Sequence, residues 1–274
     1  MYRLVYRITK RDERSLVRAL RREGAENFYV EKNRDGLFLH FFSMYPQSPD
    51  VLHGLVPESV QESRDNSWND LWASEYKGHE LTGDIYVRAS GAPLPEKKYR
   101  HVIEIDPGKS FGDGHHPTTR LCAEILQEYL EGEGFARGLN MIDVGTGSGI
   151  LAMAAYMLGV RDIELFDIDE KSVAASSVNL KLNNIRGILP FAADIYSFRF
   201  GRPYDIITAN LLTSLIEDSV EKMSHALSDR GVMVLSGISS KWTGTARRLF
   251  RRNNLRILIH KKLEGWNGFL VKRR

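Results

Sequence analysis

The stretch that decides the fold is Asp143-Val144-Gly145-Thr146-Gly147-Ser148-Gly149, which lies between a strand-like apolar run and a helical apolar pattern. Glycines at alternate positions predict a tight turn in which the backbone can approach a ligand closely. The dinucleotide-binding fingerprint also needs a glycine at position 150, where this chain has Ile150. The spacing therefore disfavours a nicotinamide dehydrogenase, and a purely structural strand-to-helix turn stays open as an alternative.

Alternating strand and helix patterns surround this loop. The predicted strands are Met141–Val144, Ile163–Asp167, Ile188–Ala192, Asp205–Ala209 and Val232–Ser236. Helical patterns between them indicate a parallel sheet, and hence an α/β fold. Two further strand-like runs, Leu255–Leu263 and Phe269–Lys272, flank Trp266-Asn267-Gly268. Because Asn-Gly between two strands favours a tight turn, we expect an antiparallel hairpin to complete the sheet.

Residues 1–45 predict a small α+β unit of their own. A strand-like run over Leu4–Ile8 precedes a helical pattern over Asp12–Arg22, and two more strand-like runs flank Asn33-Arg34-Asp35-Gly36. This β-α-β-β order is part of a ferredoxin-like sandwich. The polar, proline-containing residues 46–83 are predicted to be a linker, and residues 84–274 to be the main domain.

Composition excludes several classes of protein. The 274 residues are 42% hydrophobic and 27% charged, which is ordinary for a globular chain. The longest uncharged run with a strongly apolar stretch, Gly145–Val160, is too short to span a bilayer, and the N-terminus lacks the apolar segment of a secretory signal. The single cysteine, Cys122, forms neither an internal disulfide nor a zinc site. We therefore expect a cytoplasmic protein with no membrane partner.

The charge is unevenly distributed along the chain. Residues 1–34 hold ten Lys/Arg and five Asp/Glu, and residues 245–274 hold ten Lys/Arg and one Glu. The overall charge of +3 leaves the middle of the chain acidic. The basic segments predict contact with nucleic acid or a ribonucleoprotein, and solvated helix faces are an equally good interpretation.

Polar residues end two of the predicted strands. Asp167 ends the strand after the glycine-rich loop, where an acid can accept hydrogen bonds from both hydroxyls of a ribose. Asp169 is expected to cap the following helix. Asn210 reaches the carboxyl end of the sheet, where its side-chain carbonyl could accept a hydrogen bond from a substrate amine. A helix cap at Asp167 and a turn at Asn210 stay open.

The segment Phe111–Thr119 contains two glycines and a Pro-led helix start, which predict a flexible flap before the main domain. Its adjacent His115 and His116 have no cysteine partner nearby and make a weak ligand set. The sequence therefore predicts no metal site.

Taken together, these motifs resemble class I S-adenosylmethionine-dependent methyltransferases and, more narrowly, the PrmA family. The narrower resemblance spans roughly residues 68–274 and is carried by Phe111–Thr119, Asp167-Ile168-Asp169, Asn179 with Asn183, Ala209–Leu212 and Leu235–Ile238. It implies a seven-stranded Rossmann-like methyltransferase sheet and S-adenosylmethionine as the cofactor. It also implies methylation of lysine or α-amino nitrogens of protein L-eleven, at the stalk base of the large ribosomal subunit. Residues 1–45 would then recognise the substrate, and ribosomal RNA is a further candidate partner.

The resemblance also implies a set of site residues. The family's cofactor-binding positions fall on Thr119, Gly145, Asp167 and Asn210, and we also expect Asp143, Gly147 and Asp194 to bind the cofactor. Asn210 is in addition the expected catalytic residue, because its carbonyl would aim the substrate amine at the methyl group.

Three other functions stay open: methylation of another protein, methylation of RNA, and a non-enzymatic ribosome- or RNA-binding module. Base-amine methyltransferases typically follow the asparagine with Pro-Pro-aromatic, whereas this chain has Leu211-Leu212. Retention of the cofactor-binding residues speaks against a purely binding module.

Overall fold

The computed structural model describes most of the chain, in two compact units, residues 1–70 and 71–274. The described residues are 2–22, 28–33, 36–43, 52, 54–62, 78–106, 114–133 and 138–274. The predicted flap is therefore described only from residue 114 onward. No helix in these ranges is both long enough and apolar enough to cross a membrane.

In its described residues, the first unit is an antiparallel sheet with one helix. Its elements are β1 (Tyr2–Ile8), α1 (Lys10–Arg22), β2 (Phe28–Asn33), β3 (Gly36–Ser43) and β4 (Ser59–Glu62). The strand order is β2-β3-β1-β4. Leu4, Tyr6 and Ile8 alternate along β1 and are buried, because successive side chains of a strand point to opposite faces. Leu20 of α1 is fully buried in the same cluster.

The described part of the second unit starts with a small sheet of three strands, namely β5 (His79–Glu80), β6 (Ile85–Ala89) and β7 (His101–Ile105). Strands β4 and β5 both lie inside the segment 46–83 predicted to be a linker. These strands have only four and two residues, so their alternation of apolar and polar residues is too short to indicate a strand among the polar residues around them. The predicted domain boundaries at residues 45 and 84 stay a prediction.

The main sheet of the second unit has seven strands. They are β8 (Asn140–Val144), β9 (Asp162–Asp167), β10 (Phe191–Ala192), β11 (Tyr204–Asn210), β12 (Leu227–Ser239), β13 (Leu255–Leu263) and β14 (Trp266–Arg273). Their order is β10-β9-β8-β11-β12-β14-β13, and β14 runs antiparallel to both of its neighbours. The α/β fold with a mainly parallel central sheet is therefore confirmed.

Helices cover both faces of this sheet. They are α2 (Pro117–Glu133), α3 (Ile150–Met157), α4 (Glu170–Leu182), α5 (Thr213–His225) and α6 (Thr243–Arg252), the last preceded by a short 3-10 helix, Ser240–Trp242. Buried residues of α2, α3 and α4 pack in one core cluster, and those of α5 and α6 pack in another. Successive residues of a strand belong to different clusters. In β8, Met141 packs in the first cluster and Ile142 in the second. Each fully buried aliphatic side chain contributes roughly 1.5–3 kcal/mol.

The antiparallel hairpin is present, but the prediction of its turn was wrong. The turn is Glu264-Gly265, and both residues have positive φ angles, 47° and 88°. A two-residue hairpin turn of this kind requires two positive φ angles, which suits a glycine at the second position. Asn267 lies instead inside β14, where it is fully buried.

Asn267 connects three elements through its side chain. Its Nδ2 donates to the carbonyl of Ile238 at 3.0 Å, and its Oδ1 accepts from Oγ1 of Thr243 at 3.1 Å. Its Oδ1 also lies 2.9 Å from Nε2 of His260. The residue therefore stabilises the hairpin against β12 and the start of α6.

We expect Asn267→Ala to lower the free energy of unfolding by roughly 1–3 kcal/mol, because the buried carbonyl of Ile238 loses the amide that donates to it. A urea titration measures the change. The matched control is Lys262→Ala, at the exposed position opposite Asn267 across the hairpin. Equal stability of the two variants would show that the buried network contributes nothing.

Candidate functional site

The glycine-rich loop lies at the carboxyl edge of the sheet, between β8 and α3. Gly145, Gly147 and Gly149 have φ angles of 69°, 55° and 81°, a region that other residues enter only at a cost. The backbone N–H groups of Gly145 and Thr146 both donate to the carbonyl of Phe166, each at 3.0 Å. These two bonds hold the loop against the end of β9.

Asp143 lies beneath this loop and is 1% exposed. Its carboxylate accepts hydrogen bonds from Oγ1 of Thr146, at 2.6 Å, and from Oγ1 of Thr208, at 2.5 Å. Burial raises the pKa of Asp143 to about 6, although both hydrogen bonds act to lower it. The carboxylate therefore connects the loop to β11. Its predicted contact with a cofactor stays a prediction.

Asp167 lies half-buried at the end of β9. Its Oδ2 accepts from the N–H of Gly147 at 2.9 Å, and its Oδ1 accepts from the N–H of Asp169 at 3.0 Å. A carboxylate has about four acceptor positions, so two remain available to a ligand. Asp169 caps α4 by accepting from the N–H groups of Lys171 and Ser172, which confirms its predicted role.

Asn210 and Thr119 are 91 residues apart in the sequence and in contact in the structure. Nδ2 of Asn210 donates to Oγ1 of Thr119 at 3.1 Å. Thr119 is 1% exposed in the first turn of α2, whereas Asn210 is half-buried at the end of β11. Within the part of the chain that the structure describes, Oδ1 of Asn210 accepts no hydrogen bond. The amide is therefore held by its nitrogen, with its carbonyl oxygen free to accept.

Asp194 follows β10, the strand that pairs with β9. The N–H of Ala193 donates to the carbonyl of Asp167 at 2.9 Å, which brings this segment beside the end of β9. Oδ1 of Asp194 accepts from the N–H of Tyr196 at 2.9 Å. The structure therefore brings the loop, Asp167 and Asp194 to neighbouring strand ends, and it places Asn210 with Thr119 at the end of β11.

Two asparagines, one in α4 and one directly after its end, were given no role from the sequence. Asn179 is 1% exposed, donates from Nδ2 to the carbonyl of Ser148 at 2.9 Å, and accepts at Oδ1 from the N–H of Asp106 at 2.8 Å. Asn183 accepts from the N–H of Glu104 at 2.8 Å and donates to the carbonyl of Glu104 at 2.6 Å. Their spacing of four places both on one helix face and is the signal that could have indicated a shared role.

The chain after Asn210 passes very close to β12. Gly237 has a φ angle of 84°, and a Cβ atom there would overlap the carbonyl of Leu211. The side chain of Leu211 lies against Gly145, where a Cβ atom would also overlap. Leu211 therefore fits between Gly145 and Gly237 because neither residue has a Cβ atom. Its packing there fixes the position of Asn210 relative to the loop.

The histidines of the predicted flap lie beside other rings. The His115 ring centroid is 3.7 Å from that of His79, and the His116 ring centroid is 5.1 Å from that of Trp266. Nδ1 of His116 lies 2.7 Å from Oγ1 of Thr118. Among the described residues, no group of three or more His, Cys, Asp or Glu could hold a metal ion.

Comparison with protein families gives a match over residues 41–274 to the family described as "Ribosomal protein L11 methyltransferase (PrmA)". The chain belongs to the PrmA family. The match covers the loop, Asp167, Asn210 and the terminal hairpin, and thus every residue of the site described above. The part of the first unit before residue 41 lies outside it.

Individual relatives carry the same name. A ribosomal protein L11 methyltransferase of Dictyoglomus thermophilum is 34% identical over 198 residues, which are 71% of this chain and 64% of that protein. One of Caldicellulosiruptor saccharolyticus is 32% identical over 76% of this chain and 66% of that protein. The chain thus spans slightly less than two thirds of the length of these relatives. One of Thermosipho melanesiensis is 27% identical over 98% of this chain and 96% of that protein.

A solved structure of similar fold belongs to the same family. The ribosomal protein L11 methylase of Lactobacillus delbrueckii subsp. bulgaricus matches with a TM-score of 0.65 at 28% identity. The match covers 73% of this chain and 100% of that chain. The PrmA relatives and this chain therefore share the main fold as well as sequence.

The raised pKa of Asp143 makes the stability of the protein depend on pH. A carboxyl whose pKa is higher when folded contributes its stability below the unfolded pKa of 3.8, and this stability is lost as the pH rises through about 6. We expect the free energy of unfolding of wild type, relative to Asp143→Asn, to fall by about 2–3 kcal/mol between pH 4 and pH 7.5.

Urea titrations of both proteins across this pH range measure the difference. Glu217→Gln, which removes an exposed carboxylate of α5, is the matched control. A pH dependence as large in the control pair as in the Asp143 pair would contradict a specific role of the buried carboxyl.

Proposed function

We propose that this PrmA-family chain transfers methyl groups from S-adenosylmethionine to lysine or α-amino nitrogens of ribosomal protein L11. One observation carries the proposal: the glycine-rich loop and Asp167 meet at the carboxyl edge of a parallel sheet that also presents the Thr119–Asn210 pair. Ligands of open α/β folds bind at this edge. We infer the substrate from the names of the relatives and the reaction from the residues of the site.

The residues at this edge fit S-adenosylmethionine. The two unused acceptor positions of Asp167 suit the pair of ribose hydroxyls, and the glycine backbone at Gly147 permits close approach. Asp143 lies below and Asp167 beside the loop; burial is the main cause of the raised pKa of Asp143, and repulsion from Asp167 adds a smaller part. A positively charged ligand relieves that repulsion. When bound, the cofactor supplies a methyl group on a positively charged sulfur.

Asn210 orients the substrate amine. Because Thr119 accepts the hydrogen bond from Nδ2, the carbonyl oxygen of Asn210 can accept from an incoming N–H and direct the nitrogen lone pair. A free lysine has a pKa of about 10.4, so only ~0.04% is neutral at pH 7. Burial and a neighbouring positive charge both lower the lysine pKa and increase the neutral fraction. Positioning is therefore the main contribution of the chain to the reaction.

The first unit is proposed to recognise the protein substrate. Its strand order, β4-β1-β3-β2, supports a ferredoxin-like arrangement, and its helix α1 carries exposed basic residues. The net positive charge of residues 245–274 supports an additional contact with ribosomal RNA.

Asp167→Ala tests the cofactor site. Losing hydrogen bonds to a charged group costs roughly 1.5–3 kcal/mol, so we expect the Kd for S-adenosylmethionine to rise about ten- to a hundred-fold. Isothermal titration calorimetry measures it, with Glu170→Gln, an exposed carboxylate at the start of α4, as the control. An unchanged Kd in a variant with a normal melting curve would remove Asp167 from the site.

Asn210→Ala tests the catalytic assignment. We expect kcat/KM to fall on the order of 10²-fold, the scale of a lost positioning contact, with a smaller change in the Kd of the cofactor. Thr119→Val, which removes the acceptor for Nδ2, should act in the same direction.

The measurement is transfer of labelled methyl groups to purified ribosomal protein L11, with mass spectrometry of the product. Ser214→Ala, an exposed substitution at the start of α5, is the matched control. If Asn210→Ala keeps the wild-type rate and only its melting temperature falls, Asn210 is a turn residue and the amine-acceptor mechanism is wrong.

A further inference from the structure

A basic pocket lies at the amino edge of the main sheet, opposite the edge that carries the site. Its volume is about 520 Å³, and it is lined by Asp229, Asn254, Arg256, Lys272, Arg273 and Arg274. Strand β12 begins at this edge, and β14, which runs antiparallel to β12, ends there. Four of the six lining side chains are cations, whereas one is a carboxylate. The proposed catalytic site uses none of them.

The strand pairing places like charges next to each other. Arg256 of β13 lies directly opposite Lys272 of β14, so both side chains leave the same face of the sheet. The N–H of Arg274 donates to the carbonyl of Asn254 at 2.9 Å, which brings a third cation to this corner. Like charges directly opposite each other destabilise an antiparallel pair. An anion bound between the side chains of Arg256 and Lys272 would replace their repulsion with attraction to the anion.

The acidic groups of the described residues do not neutralise this corner. Arg273 lies 3.5 Å from the fully exposed Asp229 and donates to the carbonyls of Leu227 and Ser228. Arg256, Lys272 and Arg274 form no ion pair with any described residue. The pocket therefore carries three cations that are free to bind a ligand, and a fourth that is held by Asp229 and by backbone carbonyls.

Two more cations extend the charged surface beyond the pocket. Arg251 and Arg252 form the exposed last turn of α6. The N–H of Asn254 donates to the carbonyl of Arg251 at 3.2 Å, so this turn lies beside the pocket. Neither arginine is ion-paired with a described residue. The surface thus offers several cations in a row, which suits a polymer with regularly spaced anions better than a single small anion.

We propose that this basic corner, formed by the pocket residues with Arg251 and Arg252, binds the phosphate backbone of RNA. Arginine donates two parallel hydrogen bonds to a phosphate, which fits the preponderance of arginine here. The choice of RNA rests on the proposed function, because a ribosomal protein substrate is found next to RNA. Since the corner lies at the opposite edge of the sheet, RNA bound there leaves the catalytic edge accessible to cofactor and protein.

The test measures binding of the full chain to a fluorescein-labelled 20-base-pair RNA duplex by anisotropy, between 50 and 200 mM KCl. Each neutralised phosphate contributes roughly −0.9 to the slope of log K against log salt concentration. We expect the double variant R256Q/K272Q to bind about 10- to 100-fold more weakly at the lowest salt. Its salt slope should be less steep by about 2.

The matched control is K181Q/R186Q, which removes the same charge from two exposed residues at or just beyond the end of α4. We expect the control to bind RNA as wild type does. R256Q/K272Q should also melt at the same or a higher temperature than wild type, because the substitution removes repulsion between opposite residues.

Three results would overturn the proposal. Equal weakening by both double variants would indicate a general effect of net charge, and wild-type affinity of R256Q/K272Q would remove this corner from RNA binding. Binding of wild type to vesicles with 30% phosphatidylserine but not to RNA would assign the corner to a lipid surface. Methylation of purified ribosomal protein L11 is assayed separately, so a failure of the proposed enzyme activity is distinguishable from a failure of RNA binding.

Discussion

The arrangement of the site depends on one buried carboxylate. Asp143 binds the hydroxyls of Thr146, in the glycine-rich loop, and of Thr208, in β11. Thr208 precedes Asn210 by two residues, so both lie on the same face of that strand. The carboxylate therefore sets the distance between the loop proposed to hold the cofactor and the residue proposed to orient the amine. Burying a charge is costly, and its retention here is consistent with a positioning role.

Long-range side-chain bonds complete this framework. Asn179 joins the loop to the N–H of Asp106, and Asn183 joins α4 to β7, across 73 and 79 residues of sequence. The Asn210–Thr119 bond spans 91 residues. Each of these bonds uses an amide, which can donate and accept at once and so satisfies two backbone or side-chain groups. The site is consequently built from segments that meet only when the whole second unit has folded.

The sequence could predict the features that depend on local patterns, but not the contacts between residues that are distant in the chain. Alternating patterns predicted the mainly parallel sheet, and the rule that ligands bind at carboxyl strand ends singled out Asp167 and Asn210. The turn of the hairpin was predicted at Asn267, because Asn-Gly is a strong local signal, yet burial of that amide against Ile238 and Thr243 outweighs it. Local periodicity carries no information about which distant backbone group an amide will meet. The connections made by Asn179 and Asn183 were therefore beyond sequence reasoning.

The second unit has two edges of opposite charge on one sheet. Carboxylates of Asp143, Asp167 and Asp194 belong to the strand ends of the carboxyl edge, which we propose to be catalytic, whereas the cations around Arg256 and Lys272 line the amino edge. At physiological ionic strength, interactions between exposed charges are screened within about 8 Å, so each edge attracts its ligand with little influence from the other. A positively charged cofactor and a lysine substrate suit one edge, and a phosphate polymer suits the other. The sheet thereby separates the proposed RNA contact of the protein from its proposed chemistry.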